Sequence, residues 1–168
     1  MGAHTFTDEA FGKDATEAYG RAVSAALHEY GHNGYNGTIS TTAGFVVVTK
    51  PKNFTDDEFI DALMWAELDC VHGKWNHAEN IPVLSQRRKF SSEWDRRHYQ
   101  SKRALLNKWK RLTYDDKKAI VHAANTLQKW GPCVAWRADR KTETTYRDRN
   151  GLKGKHGGVW MFFGWAAS

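Results

Sequence analysis

The sequence predicts an α+β fold, an antiparallel sheet of about four strands backed by helices, in the order α-β-β-α-α-α-β-β. Three observations predict it. Runs rich in β-branched and aromatic residues stand toward the two ends of the chain, at Phe45–Thr49 and Val159–Trp165. Much of the chain between them carries apolar residues at the three-four spacing of helices. Helix-start signals precede two of those stretches, at Thr55 and Thr113.

The elements follow in order. Ala15, Ala18, Tyr19, Ala22, Val23, Ala26, Leu27 and Tyr30 form one apolar stripe, so residues 15–30 are a helix, stopped by Gly31 and Gly34. Tyr35-Asn36-Gly37 leads into Thr38–Thr41, and Thr42-Ala43-Gly44 turns into Phe45–Thr49; segments 37–41 and 45–49 are expected to pair as a hairpin. Pro51 ends the second strand. Thr55-Asp56-Asp57-Glu58 is a capping box, in which the threonine accepts from a first-turn amide and the glutamate reaches back. The helix it opens buries Phe59, Ile60, Leu63, Met64, Leu68 and, at its far end, Val71. From Gly73 to Phe90 the pattern lapses into a long connection. Helical texture returns over 92–111, with Leu105, Trp109 and Leu112 on one face. Thr113 with Asp116 starts another helix, whose stripe is Ile120, Val121, Ala124 and Leu127, and Gly131-Pro132 stops it. Cys133–Trp136 is a strand, residues 138–157 a polar, basic, mobile loop, and Val159–Trp165 a last strand, apolar on both faces and therefore central and covered.

The length, 168 residues, gives one domain spanning 1–168. Eight Trp, eight Phe and six Tyr supply enough buried ring area for a core without disulfides. The two cysteines, Cys70 and Cys133, have no C-x-x-C spacing and suit a reducing compartment. The N-terminus has no apolar run of the secretory kind, and no apolar stretch approaches ~18 residues, so no membrane segment is expected. The expected setting is cytoplasmic.

The net charge of +6 is segregated. Residues 87–118 hold twelve Lys and Arg against four acids, while the remainder is slightly acidic. Such a field attracts polyanions. Within it, Arg87, Arg88, Lys89, Arg96, Arg97, Lys102, Arg103, Lys110 and Arg111 supply cations, and Trp94 and Tyr99 supply rings that stack bases where they are exposed. Trp109 falls on the apolar stripe and belongs to the core. Arg140, Lys141, Arg147, Arg149, Lys153 and Lys155 in the loop can extend the surface.

Two other patterns carry chemistry. His28-Glu29-Tyr30-Gly31-His32 matches H-E-x-x-H, in which two histidines one turn apart hold a zinc and the glutamate is the base. With ~100° per residue, however, His28 lies nearly opposite the stripe centred on Ala26 and Tyr30, and His32 about 130° from it, so both imidazoles leave the core. A third ligand is not evident: the extended motif wants Gly at 35 and His at 38, where the chain has Tyr35 and Thr38. Glu58, Glu67, Cys70, His72 or His77 can serve only if the fold brings one near. No cofactor is therefore expected, with zinc as the alternative. The second pattern is Gly34-Tyr35-Asn36-Gly37-Thr38-Ile39-Ser40-Thr41-Thr42. Gly34 and Gly37 allow close backbone approach, and Tyr35, Thr38 and Ser40 offer hydroxyls, so a nucleotide-like ligand is an alternative there. It is no P-loop, and it leaves a helix instead of entering one.

The helix Ala15-x-x-Ala18-Tyr19-x-x-Ala22-Val23, followed by Tyr30-Gly31-His32-Asn33-Gly34-Tyr35-Asn36-Gly37-Thr38-Ile39, resembles small uncharacterised accessory proteins of tailed bacteriophages and of some archaeal viruses. The resemblance covers roughly residues 1–50 and does not extend to His28. It implies a virus-encoded protein of the infection stage, outside the virion, and transfers no catalytic residue. The expected function is binding of nucleic acid or an acidic host protein through the basic helical face.

Overall fold

The structure, a computed structural model, describes residues 3–71, 104, 107–127 and 130–167, with the backbone alone for 3 and 65–71. The four strands are β1 (Ala3–Gly12), β2 (Phe45–Val47), β3 (Cys133–Arg137) and β4 (Gly158–Ala167). The helices among the described residues are α1 (Ala15–Tyr30), α2 (Asp56–Val71), α3 (Tyr114–Thr126) and α4 (Arg140–Arg149), with helical residues also at 107–110. The sheet order is β1-β4-β3-β2. β4 is antiparallel to β1, from Ala3↔Ala167 to Gly12↔Gly158, and antiparallel to β3. β2 is parallel to β3, with Phe45 opposite Cys133.

Side-chain alternation splits the core into two layers, one on each face of the sheet. Phe162 of β4, Cys133 and Ala135 of β3 and Ala10 of β1 pack against α1. α1 presents Ala18, Ala22 and Ala26, whose single methyl groups let the helix lie close on the sheet. Val159, Met161 and Phe163 of β4 and Val134 and Trp136 of β3 face the other way. There they meet Phe59 and Leu63 of α2, Trp109, and Ile120 and Ala124 of α3. β4 is thus central and covered on both faces, as its two-sided apolar pattern predicts.

The helix bounds of α1, the core positions Phe59, Leu63, Trp109 and Leu112, and the strand at Cys133 all match expectation. The caps do too. Glu58 N–H donates to Thr55 Oγ1 at 3.2 Å while Thr55 N–H donates to Glu58 Oε2 at 2.9 Å, and Asp116 N–H donates to Thr113 Oγ1 at 3.1 Å. Leu68, Val71 and Leu105 have side chains outside the described residues.

Four features differ from the sequence expectation. First, β1 was not expected: its Asp8 and Glu9 interrupt the apolar alternation, yet it pairs along its whole length with β4. Second, residues 37–41 form no strand. Ile39–Thr41 is one 3₁₀ turn, because neighbouring hydroxyls compete for the backbone: Thr41 Oγ1 donates to Thr38 O at 2.9 Å and Thr42 Oγ1 to Ile39 O at 2.8 Å. Third, β2 pairs in parallel with β3 instead of closing a hairpin, so the sheet is mixed, and Tyr30 at the end of the α1 stripe is exposed. Fourth, the expected loop 138–157 contains α4, N-capped by Asp139, which accepts from Thr142 N–H at 2.9 Å. The rest of that segment is tied down by Arg147, which donates to the carbonyls of Leu152, Lys155 and Gly157.

Candidate functional site

The corner after α1 is built by Asn36. Its side-chain amide donates to Gly31 O at 3.1 Å and to Ser40 Oγ at 2.9 Å, and its Oδ1 accepts from Thr38 Oγ1 at 2.8 Å. The hydroxyls of Thr38 and Ser40 are therefore spent on the corner itself. Gly37 is buried with φ 72°, donates its N–H to Ala167 O at 2.8 Å, and lies close to the His4 ring, which any side chain there would strike. Its role is close approach between the corner and the end of β4.

Of the five corner residues singled out in the sequence, Gly37 and Thr38 line a cleft of about 400 Å³ between β1, the second half of α1 and the corner, and Gly34, Tyr35 and Ser40 do not. The cleft also gathers His4, Asp8, Glu9, Glu29, Tyr30 and Asn36. Its lining holds three carboxylates and neither Lys nor Arg, which opposes a phosphate ligand. Tyr35 instead packs edge-on against Trp130, with ring centroids 5.4 Å apart. His28 and His32 are both exposed, as the helical arithmetic requires, whereas Glu29 turns into the cleft opposite Asp8. The H-E-x-x-H residues thus do not converge on one cleft. Among the described residues no group of three or more His, Cys, Asp or Glu is placed to hold a metal ion. Of the possible third ligands, Glu58 is engaged by Lys108 at 2.5 Å; the side chains of Glu67 and Cys70, and His72 and His77, lie outside the described residues. Cys133 is buried at the sheet–α1 interface, and burial pushes its thiol up to about 12, so it stays a protonated, unreactive thiol.

Burial, and then the nearby charges of Glu29 and Glu9, hold the Asp8 carboxyl above the usual aspartate range. The folded state therefore favours the protonated form. This stabilisation is complete below the unfolded-state pKa and is lost as pH rises through the higher folded-state value. Asp8→Asn is expected to raise the urea midpoint at neutral pH, and the gain should disappear in acid, where Asp8 is protonated in both states. An equal gain at both pH values would show that charge is not the cause.

Most of the basic surface proposed from the sequence lies outside the described residues: Arg87, Arg88, Lys89, Trp94, Arg96, Arg97, Tyr99, Lys102 and Arg103. At its described end Lys110 and Arg111 are exposed, Trp109 and Leu112 point into the core, and Tyr114 is 70% exposed beside them. Lys118 on α3 is exposed as well. Lys108 behaves differently, for it bonds Asn53 O at 3.2 Å and Glu58 and so ties this stretch to the start of α2.

A second concavity, of about 570 Å³, opens where the N-termini of α2 and α4 meet. Its floor is an interlocked pair of carboxylates. Asp56, 3% exposed, accepts from Trp136 Nε1 and from Asp139 N–H, both at 2.9 Å, and pairs with Lys50 at 3.4 Å. Asp139 accepts in return from Asp56 N–H at 3.2 Å. Burial alone would raise Asp139; the amides of Thr142 and Asp56 and the charge of Lys50 outweigh it and hold the carboxyl below its usual range. In the sequence Arg140 and Lys141 stand only as loop cations, and nothing there gives Lys50 and Lys52 a role. The missing signal is the helix start at Asp139, which sets Arg140 and Lys141 on the same surface as the start at Thr55.

No family model, curated protein or solved structure matches this chain.

Proposed function

We propose that this chain is a virus-encoded accessory protein that acts in the host cytoplasm by binding an anionic partner, nucleic acid first, through the basic segment around 87–111. The observation that carries the reading is the sorting of side chains at its described end: Trp109 and Leu112 go inward while Lys110 and Arg111 stay in solvent beside the exposed Tyr114 ring. Cations in that position neutralise phosphates, and the ring offers a stacking face. The viral origin rests on the resemblance of residues Tyr30–Ile39 to accessory proteins of tailed bacteriophages. No helix among the described residues is long and apolar enough to cross a membrane.

Fluorescence anisotropy with labelled DNA and RNA tests the reading. Affinity should fall steeply with salt, with a log–log slope of about −0.7 to −0.9 per neutralised phosphate. Charge reversal at Arg96, Arg97, Lys102 and Arg103 should abolish binding, and reversal at Lys110 and Arg111 should weaken it and flatten the slope. Absence of affinity for both DNA and RNA, with the same cations required to capture an acidic protein, would replace nucleic acid as the partner. Salt-independent binding would overturn the reading.

A further inference from the structure

We propose that the cavity between the starts of α2 and α4 is a binding site for a terminal phosphate, a phosphate monoester. It is separate from the 87–111 segment and does not rest on it. The cavity's volume of about 570 Å³ is that of a pocket for a nucleotide-sized ligand. Cations reach it from two sides: Lys52 from the β2–α2 connection, and Arg140 and Lys141 from the first turn of α4. All three are exposed, and none has an ion-pair partner among the described residues.

The carboxylates in the wall are already engaged, with one exception. Asp56 is held by Trp136, Asp139 and Lys50; Asp139 caps α4 and holds the Asp56 amide; Glu9 is paired with Arg149. Asp57 is left, and Asp139 keeps its charge because only amides hold it, so two acids stand against the three unpaired cations. The capping groups serve the amides of Asp56, Glu58 and Thr142. The amides of Asp57, Arg140 and Lys141 sit in the same first turns, where no intrahelical acceptor exists, and the positive ends of both helices add to the cationic field. A dianionic monoester gains more from such convergence than a singly charged diester, because each cation meets two charges at one point.

The ligand chemistry has two sources, a free nucleoside monophosphate or the 5′-phosphorylated end of a nucleic acid strand. Isothermal titration with inorganic phosphate, a nucleoside 5′-monophosphate, the parent nucleoside, and matched oligonucleotides with and without a 5′-phosphate separates them. Expected is binding of at least one phosphate monoester and none of the nucleoside, tightening as pH rises through ~6, where the monoester takes its second charge. Lys52→Ser, Arg140→Ser and Lys141→Ser should each weaken it by about tenfold, since each removes a charge-assisted contact from an exposed position. Reversal of Lys110 and Arg111 should leave it unchanged. A preference for the 5′-phosphorylated strand over the free monophosphate assigns the strand end; the reverse assigns the nucleotide. If no monoester binds, or if the triple variant binds as the parent does, the proposal fails.

Discussion

Asp56→Ala is expected to lower the unfolding free energy by about 3–5 kcal/mol, the range for breaking a buried charged pair by removing one partner. Three groups lose their acceptor together. Trp136 Nε1, the Asp139 amide and Lys50 Nζ all turn toward this one carboxylate, and its side chain is 3% exposed. Lys50 keeps the Phe54 carbonyl at 2.6 Å, but its charge then lies at the edge of the core with no carboxylate in contact. Trp136 is itself buried and stacks edge-on against Phe59 at 5.0 Å, so it cannot swing its N–H to water without opening the layer beneath α2. Asp56→Asn keeps one acceptor and should cost less than the alanine. Thermal unfolding should report a drop of roughly 10 °C for the alanine, at ~2–4 °C per kcal/mol for a chain of this size. A loss below about 1 kcal/mol would mean that water replaces the carboxylate freely, contrary to its burial. Asp139 adds a pH dependence of its own. Its lowered pKa gives stability that is fully present above the usual aspartate value and is lost as pH falls through the folded-state value.

The parts of this architecture that the sequence reveals are those in which local pattern and tertiary demand agree. α1 is legible to the residue because its alanine stripe is flanked by Asp14, which accepts from Glu17 N–H, and by Gly31 in a positive-φ cap. β4 is legible because only a strand covered on both faces tolerates Val159-Trp160-Met161-Phe162-Phe163. β1 and α4 are hidden for the opposite reason. β1 carries Thr7, Asp8 and Glu9 in a strand whose stability comes from pairing with β4, and α4 has no buried side chain to mark a stripe. Segment 38–42 misleads because its β-branched residues use their hydroxyls on their own backbone. The candidate sites depend on distance in the chain. Helical arithmetic alone sends His28 and His32 to solvent. That Glu29 faces Asp8 depends on β1 lying under α1. Likewise Lys52 and Arg140 line one cavity because β2 runs parallel to β3, which sets both following helix starts at the same end of the sheet.

Phe162→Ala should be nearly as damaging, with an expected loss of about 3–5 kcal/mol, because truncating a buried phenylalanine leaves a cavity its surroundings only partly fill. Phe162 is fully buried on β4, facing α1. Its ring centroid lies 5.8 Å from that of Tyr19 and 6.2 Å from that of Phe45, and those two lie 5.0 Å apart, so three rings close one cluster. Relaxation is restricted on both sides. The buried face of the helix above is the methyls of Ala18, Ala22 and Ala26, flanked by Tyr19 and Val23, and Tyr19 is anchored through a 3.0 Å hydrogen bond between its hydroxyl and Thr42. The strand below is paired on both edges, to β1 and to β3, and cannot shift to fill the space. Phe162→Leu should recover about half of the loss, since it restores most of the volume without the ring contacts. A dry cavity of this kind binds small apolar probes, so benzene or xenon should raise the melting temperature of the alanine variant but not of the parent chain. A loss under about 2 kcal/mol with no response to either probe would mean that α1 settles onto the sheet when the ring is removed, and that its closeness to β4 is not limited by Phe162.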